Sequence, residues 1–287
     1  MRTFKNLTEN VQEAITMPYG TDFNRPANPE EGMVRYNTTQ DALEFYNGTS
    51  WNVLGDSQVI PNIVTENLVV NVNASESSSY SGATFNGNVV SNTSSPESFS
   101  WPSYSAGSAV NYLDSIPSLG TLPTLNNDIT LTAWVKFDNN AFASEKYHYI
   151  ASLNLGNIQN SLNIIKQSNT AGAGNEIYAN VFHNNTAYQA IPTSGISSST
   201  GWFQVATVVS GASLKLYFNA NLTASATIPS TRSTSQTTLE VGKNLSAPNS
   251  ATADMYGEIS IIRVYGSALS SSEITQNFNA TKTQFGL

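Results

Sequence analysis

The chain has 287 residues, a formal net charge of -8 and no cysteine; 11% of its residues are charged and 39% hydrophobic. An acidic balance lacks the basic face that nucleic acid requires. The missing cysteines exclude disulfide scaffolds, thiolate metal sites and thiol nucleophiles. No apolar run approaches the roughly 18 residues of a helical membrane span. Ser, Thr and Asn fill about a third of the positions, well above average usage, so the surface is expected to be polar but mostly neutral.

The opening residues, Met1 to Asn10, do not have the basic-then-apolar pattern of a secretory signal. On that reading the Asn-x-Thr sequons, such as Asn6-Leu7-Thr8 and Asn47-Gly48-Thr49, are expected to stay unmodified. A short helix around Glu9 to Ile15 is the first candidate element. Turn-forming clusters at Ala27 to Gly32 and at Gly55 to Gln58, the latter followed by Pro61, divide the chain. A small module over residues 1–60 is expected to precede a larger domain over 61–287.

Gly32 to Leu54 reads as three short strands. Val34 and Tyr36, Leu43 and Phe45, then Trp51 and Val53 alternate with polar neighbours, which predicts one apolar and one wet face. Asn47-Gly48 is a two-residue hairpin signal of type I′. So small a unit encloses little volume. Its apolar residues, Met33, Val34, Tyr36, Leu43, Phe45, Tyr46, Trp51 and Val53, are therefore expected either to pack against other copies or to dock on the larger domain of the same chain.

The run Arg25 to Thr39 followed by Leu43 to Trp51 resembles a short module of tailed-bacteriophage structural proteins, found in fibre, collar and appendage proteins. The resemblance implies a virion protein in which the module fastens or trimerises the chain. It favours packing between copies, and hence a homotrimer bound to other virion proteins of capsid or tail.

From Leu68 onward the sequence alternates short strands with polar turns. Strands are expected at Leu68 to Val72, Ile129 to Phe137, Tyr147 to Leu155, Leu162 to Lys166 and Ile177 to Phe182. Others follow at Trp202 to Val209, Ser213 to Phe218, Thr237 to Gly242 and Gly257 to Tyr265. Such spacing indicates an all-β, antiparallel sandwich or barrel. The one clear helix signal is Ser270 with Glu273, a capping box, after which Ile274 and Phe278 share a face expected to tuck against the sheet edge.

Several ordered motifs are similar to laminin-G-like, concanavalin A-like jelly rolls: Ile129 to Val135, Gly201 to Val209, Leu214 to Asn219, Leu239 to Gly242, and Gly257 to Tyr265 with Ala268 to Ile274. Two positions depart from that pattern. Asn219-Ala220 stands where the family has Asn-Gly, and Ser260 where it has Asp. The resemblance implies a β-sandwich preceded by the small module.

Candidate chemistry is sparse. Hydrolysis of glycosides on this fold needs paired carboxylates facing one cleft. Here Glu240, Glu258 and Asp138 stand apart, and no strand carries an alternating acidic pair. His148 and His183 lack metal or triad spacing, and no Gly-x-Ser-x-Gly occurs. The chain is therefore expected to be non-enzymatic and without a cofactor. One metal candidate remains, a calcium ion at Asp138 and Asn139; polar turn residues account for the same pair without an ion. Glycan binding, common for the resembled fold, needs an exposed aromatic beside polar groups. Trp101, Tyr147, His148, Tyr149 and Tyr188 are the aromatics expected near loops, and Trp134 and Trp202 are expected in the core.

These readings converge on a surface-exposed virion component, a capsid decoration or fibre-like appendage, whose sandwich touches host-surface glycans. It would assemble in the host cytoplasm, with no nucleic acid or membrane partner. A tail-fibre adhesin is the alternative, and a free carbohydrate-binding protein or cryptic glycosidase the second.

Overall fold

A computed structural model describes residues 17–53, 62–81, 84–85, 90–101, 113–114, 121–143, 147–155, 160–167, 175–197, 200–242 and 255–287. The expected helix at Glu9 to Ile15 lies outside these residues. The chain forms two compact units, Met1–Ile60 and Pro61–Leu287.

The first unit is a four-stranded sheet of β1 (Tyr19–Gly20), β2 (Val34–Asn37), β3 (Ala42–Tyr46) and β4 (Trp51–Val53), in that order. β1, a two-residue strand not expected from the sequence, runs parallel to β2 and pairs Tyr19 with Tyr36. The expected tight turn is instead a four-residue loop, Asn47 to Ser50. The Asn47 side chain accepts from the backbone N–H of Thr49 (2.9 Å) and Ser50 (2.8 Å), and Gly48 takes φ +90°. The loop pairs Tyr46 with Trp51 and Phe45 with Asn52.

The second unit is a sandwich. Its strands are β5 (Leu68–Asn73), β6 (Thr84–Phe85), β7 (Val90–Asn92), β8 (Ser98–Trp101), β9 (Leu113–Asp114), β10 (Ile129–Phe137), β11 (His148–Asn154), β12 (Asn160–Lys166), β13 (Ile177–His183) and β14 (Thr186–Ala190). Then come β15 (Phe203–Ser210), β16 (Ser213–Phe218), β17 (Asn221–Thr227), β18 (Thr238–Val241) and β19 (Gly257–Tyr265). One sheet runs β17-β16-β15-β10-β19-β8-β7, with β5 also on β19; the other runs β14-β13-β12-β11-β18. The interior takes the alternating residues foreseen for β10 (Ile129, Leu131, Ala133, Val135, Phe137). It also takes Leu162 and Ile164 of β12, Val181 of β13 and Ile262 and Val264 of β19. The chain thus has the all-β antiparallel sandwich fold.

The C-terminus covers the outer face of the larger sheet. Helix α2 (Ser271–Asn279; the five-residue α1 is Asn139–Ala143) starts at the foreseen capping box. Phe278 does not reach a sheet edge. It stacks on Trp134, in the interior strand β10, with ring centroids 5.6 Å apart; Phe285 stacks on the same ring at 4.0 Å. The Trp134 indole N–H donates to Thr281 Oγ1 (2.9 Å), so this tryptophan is buried, but outside the inter-sheet core. Asn277 adds bonds to the Val64 N–H and to the Tyr265 hydroxyl.

Candidate functional site

The candidate residues fall in both units.

In the first unit the strand register divides the apolar set. Arg35 pairs with Glu44, and Glu44 with Val53, so one face carries Arg35, Asn37, Glu44, Tyr46, Trp51 and Val53. The other carries Tyr19, Val34, Tyr36, Leu43 and Phe45. Trp51, Val53 and Tyr46 are thus opposite Val34, Tyr36, Leu43 and Phe45. The even-numbered loop sets this parity, since a one-residue offset turns every side chain over.

Burial is also the reverse of the expected pattern. The charged face is covered. Arg35, Asn37 and Glu44 are buried, and the Glu44 side chain is 1% exposed. Arg25, from the segment that crosses this face, donates to both Glu44 carboxylate oxygens at 3.1 and 2.6 Å; Asn37 adds 2.9 Å, and Arg35 lies 3.6 Å away. Hydrogen bonding from Arg25 first, then from Asn37, and the two arginine charges hold the Glu44 pKa below the usual carboxylate range, although burial pushes the other way. Trp51 lies beneath the Arg35 guanidinium (5.9 Å) and against Tyr46 (5.6 Å). On the apolar face, Tyr19 is 73% and Leu43 38% exposed, and Val34, Tyr36 and Phe45 are half-buried. Met33, just before β2, is half-buried as well.

In the second unit the four described side chains among the expected glycan-contacting aromatics do not form one patch. Tyr147 is exposed. His148 is fully buried, its ring 5.1 Å from Tyr256 and 6.1 Å from Phe137. Tyr149 is buried on the outer face of the smaller sheet with Ile165 and Tyr178. His148 and Tyr149 open β11, at the start of the strand expected there, but the expectation that they present rings to a glycan is corrected: both are buried, and strand alternation sends them to opposite faces. Tyr188 is half-buried against the main core. Trp101 ends β8, and its side chain lies outside the described residues. Asp138 caps α1, its carboxylate accepting from the Ala141 N–H (3.1 Å), and Asn139 is exposed. Among the described residues no group of three or more acidic, His or Cys side chains could hold a metal.

A polar row not expected from the sequence runs across the outer face of the smaller sheet. The register aligns Gln189, Asn180, Asn163, Ser152 and Glu240 on its five successive strands. Ser152 Oγ donates to Asn163 Oδ1 (2.7 Å), and Asn163 Nδ2 to Ser161 Oγ (2.8 Å). One step along lies the row Ala187, Phe182, Ser161, Asn154 and Thr238. Ser152, Asn154, Ser161 and Asn163 have no accessible surface, whereas Gln189 and Ala187 are exposed and Phe182 is half-buried. The row therefore meets solvent at its β14 end, where Asn180 Oδ1 has no hydrogen-bond partner among the described residues. Small neighbours, Ala187 and Ser161, flank the Phe182 ring. An aromatic ring beside amides suits a sugar, which presents an apolar C–H face and a hydroxyl edge. Period-two polar residues in Ser161-Leu162-Asn163 and Tyr178-Ala179-Asn180 were the available signal. Enclosed space is scarcer: an apolar cleft at Ile177, Ile196, Leu216 and Phe218 holds about 140 Å³, and a hydroxyl-lined one at Ser75, Ser95 and Ser260 about 190 Å³. Both fall below the roughly 300 Å³ of ordinary ligand pockets, which directs attention to open surface.

A two-sheet jelly roll whose smaller sheet has a polar, aromatic-edged outer face, with Glu240 the one carboxylate among the described residues of that sheet's strands, has the form of a lectin-type sandwich. The family comparison agrees: the model Laminin_G_3, described as the concanavalin A-like lectin/glucanases superfamily, matches residues 107–275, and the chain belongs to that superfamily. No match was found among curated proteins. Among solved structures the chain is similar to the botulinum neurotoxin serotype D/C VPI 5993 binding domain (14% identity, TM-score 0.55, 75% of this chain and 52% of that one). It is also similar to the serotype G binding domain (15%, 0.52, 73% and 50%). A third is the DC binding domain in complex with rat synaptotagmin II (14%, 0.53, 69% and 46%). The chain spans about half the length of these structures, and identities this low establish the shared fold alone.

Proposed function

We propose that the protein is a non-enzymatic surface component of a tailed-phage virion, a capsid decoration or fibre-like appendage. Its first unit joins it to two further copies, and its sandwich offers a glycan-contacting face. The carrying observation is the inverted burial of the first unit: a sheet that covers its charges, exposes Tyr19 and Leu43 and only half-buries Val34, Tyr36 and Phe45 invites an apolar partner. A second copy is the fitting occupant. The strand residues of this face are uncharged, so chains of net charge -8 can meet there without like-charge contact. The phage-module resemblance of Arg25 to Trp51 supports the virion setting. The glycan role is assigned to Phe182, Asn180 and Gln189, and the non-catalytic reading is supported by the single carboxylate, Glu240, among the described strand residues of that face, where glycoside hydrolysis uses two.

Light scattering tests the assembly: the full chain is expected at three times its sequence mass and the Leu43→Glu variant as a monomer, and a monomeric wild type refutes the proposal. On a glycan array, Phe182→Ala is expected to abolish binding. A wild type that binds no glycan removes the lectin role and leaves the structural one. Electron microscopy of labelled particles decides between head and tail.

A further inference from the structure

Lys166 closes β12 on the side that points between the sheets, in line with Leu162 and Ile164, and has no accessible surface. Its ammonium donates to three neutral oxygens: the Ala141 carbonyl at 2.8 Å, the Gln167 carbonyl at 3.1 Å and Asn175 Oδ1 at 2.9 Å. Phe142 walls the site, its ring centroid 5.0 Å from Nζ. None of the ion pairs among the described residues includes Lys166. Burial lowers its pKa to about 8, against an opposing pull from the charge of Glu176. An amine that is partly neutral near physiological pH is a nucleophile. It is held 2.9 Å from a carboxamide oxygen, where proximity replaces a bimolecular encounter.

We propose that Lys166 and Asn175 join in an intrachain amide bond. Lys166 Nζ, as the free amine, attacks Cγ of Asn175. The bond from Cγ to the carboxamide nitrogen then breaks, and that nitrogen leaves as ammonia, taking the proton that Nζ gives up. Glu176, the acidic neighbour of Asn175, is the proton carrier between the two nitrogens. Reactants and products balance without an oxidant or cofactor: amine and carboxamide give amide and ammonia. The bond would fasten the end of β12 to the residues entering β13, beside the carbonyl of α1, in a chain that has no cysteine for the purpose. It is independent of the virion and glycan readings.

Intact-mass spectrometry of the full chain is the test. The purified protein, after incubation at about pH 9 to favour the neutral amine, is expected to fall short of its sequence mass by one ammonia. Fragmentation is expected to place the link between peptides containing Lys166 and Asn175. Cyclisation of an asparagine onto its own backbone loses the same mass, so Lys166→Met is the control: it is expected to restore the full mass. Glu176→Gln is expected to slow formation at least tenfold, in the range of general acid–base contributions. A wild type at full sequence mass, or a deficit that persists in Lys166→Met, overturns the proposal.

Discussion

The buried charges of the first unit make a pair of adjacent substitutions informative. Glu44→Ala removes the carboxylate that Arg25, Arg35 and Asn37 share, and leaves Arg35, whose side chain is 6% exposed, without its counter-charge. Breaking a buried pair from one side costs about 3–5 kcal/mol. Arg25 is 28% exposed and keeps Asp22 at 2.9 Å, so the lower end, about 3 kcal/mol, is expected. A unit this small has little stability in reserve. Amide exchange across residues 34–53 of the full chain should therefore accelerate by roughly a hundredfold at any protein concentration. Leu43→Ala, one residue away on the open face, should leave exchange nearly unchanged in dilute protein and act only where copies associate. The opposite ranking, with Leu43→Ala costly in the dilute chain and Glu44→Ala neutral, would refute the inverted assignment of faces. Acid gives an independent check. The folded pKa of Glu44 lies below its unfolded value, so its stabilisation is complete above the unfolded value of about 4.3 and is lost as pH falls through the folded one. Protection of residues 34–53 should decline on acidification through that window, and Glu44→Gln should flatten the decline.

Three further outcomes concern the sandwich. Gly257 has φ +149°, and a Cβ there would lie 2.2 Å from the Lys136 carbonyl oxygen and 2.8 Å from Phe137 Cα, so Gly257→Ala should cost at least about 3 kcal/mol in denaturant unfolding. Asn219 and Ala220 both hold positive φ, +46° and +65°, at the turn between β16 and β17; Ala220→Gly should raise stability by about 0.5–1 kcal/mol, read as a higher melting temperature. Phe285→Ala removes the ring stacked on Trp134 and packed near Trp202 (5.2 Å), and should cost about 3 kcal/mol with a red shift of tryptophan emission.

These sites show how local signals and tertiary packing divide the work. The nine-residue alternation of β10 and the capping box of α2 were readable because each depends on neighbours a few residues away. The Asn219-Ala220 turn was the doubtful position in the sequence, and the chain forms it with alanine in a conformation that glycine would adopt with less strain. β14 and β17 escaped notice because their residues, Thr186 to Ala190 and Asn221 to Thr227, lie mostly exposed at sheet edges and carry little apolar alternation. The same holds for the polar row from Gln189 to Glu240, whose members come from five strands spread over 89 positions of the chain and meet only through register.

The composition therefore determined one thing by itself: a neutral, polar, cysteine-free chain whose hydrophobic residues recur at period two forms antiparallel sheets. It did not determine which faces are covered. Thr130, Thr132, Ser152 and Asn163 look solvent-facing by alternation and are buried; the C-terminal segment packs on the outer face that carries Thr130 and Thr132. In the first unit, loop parity and Arg25 put the charges inside and leave the apolar row open. Period two tells only that two faces differ. What covers each is set by segments distant in sequence, and that placement exists only in the folded chain.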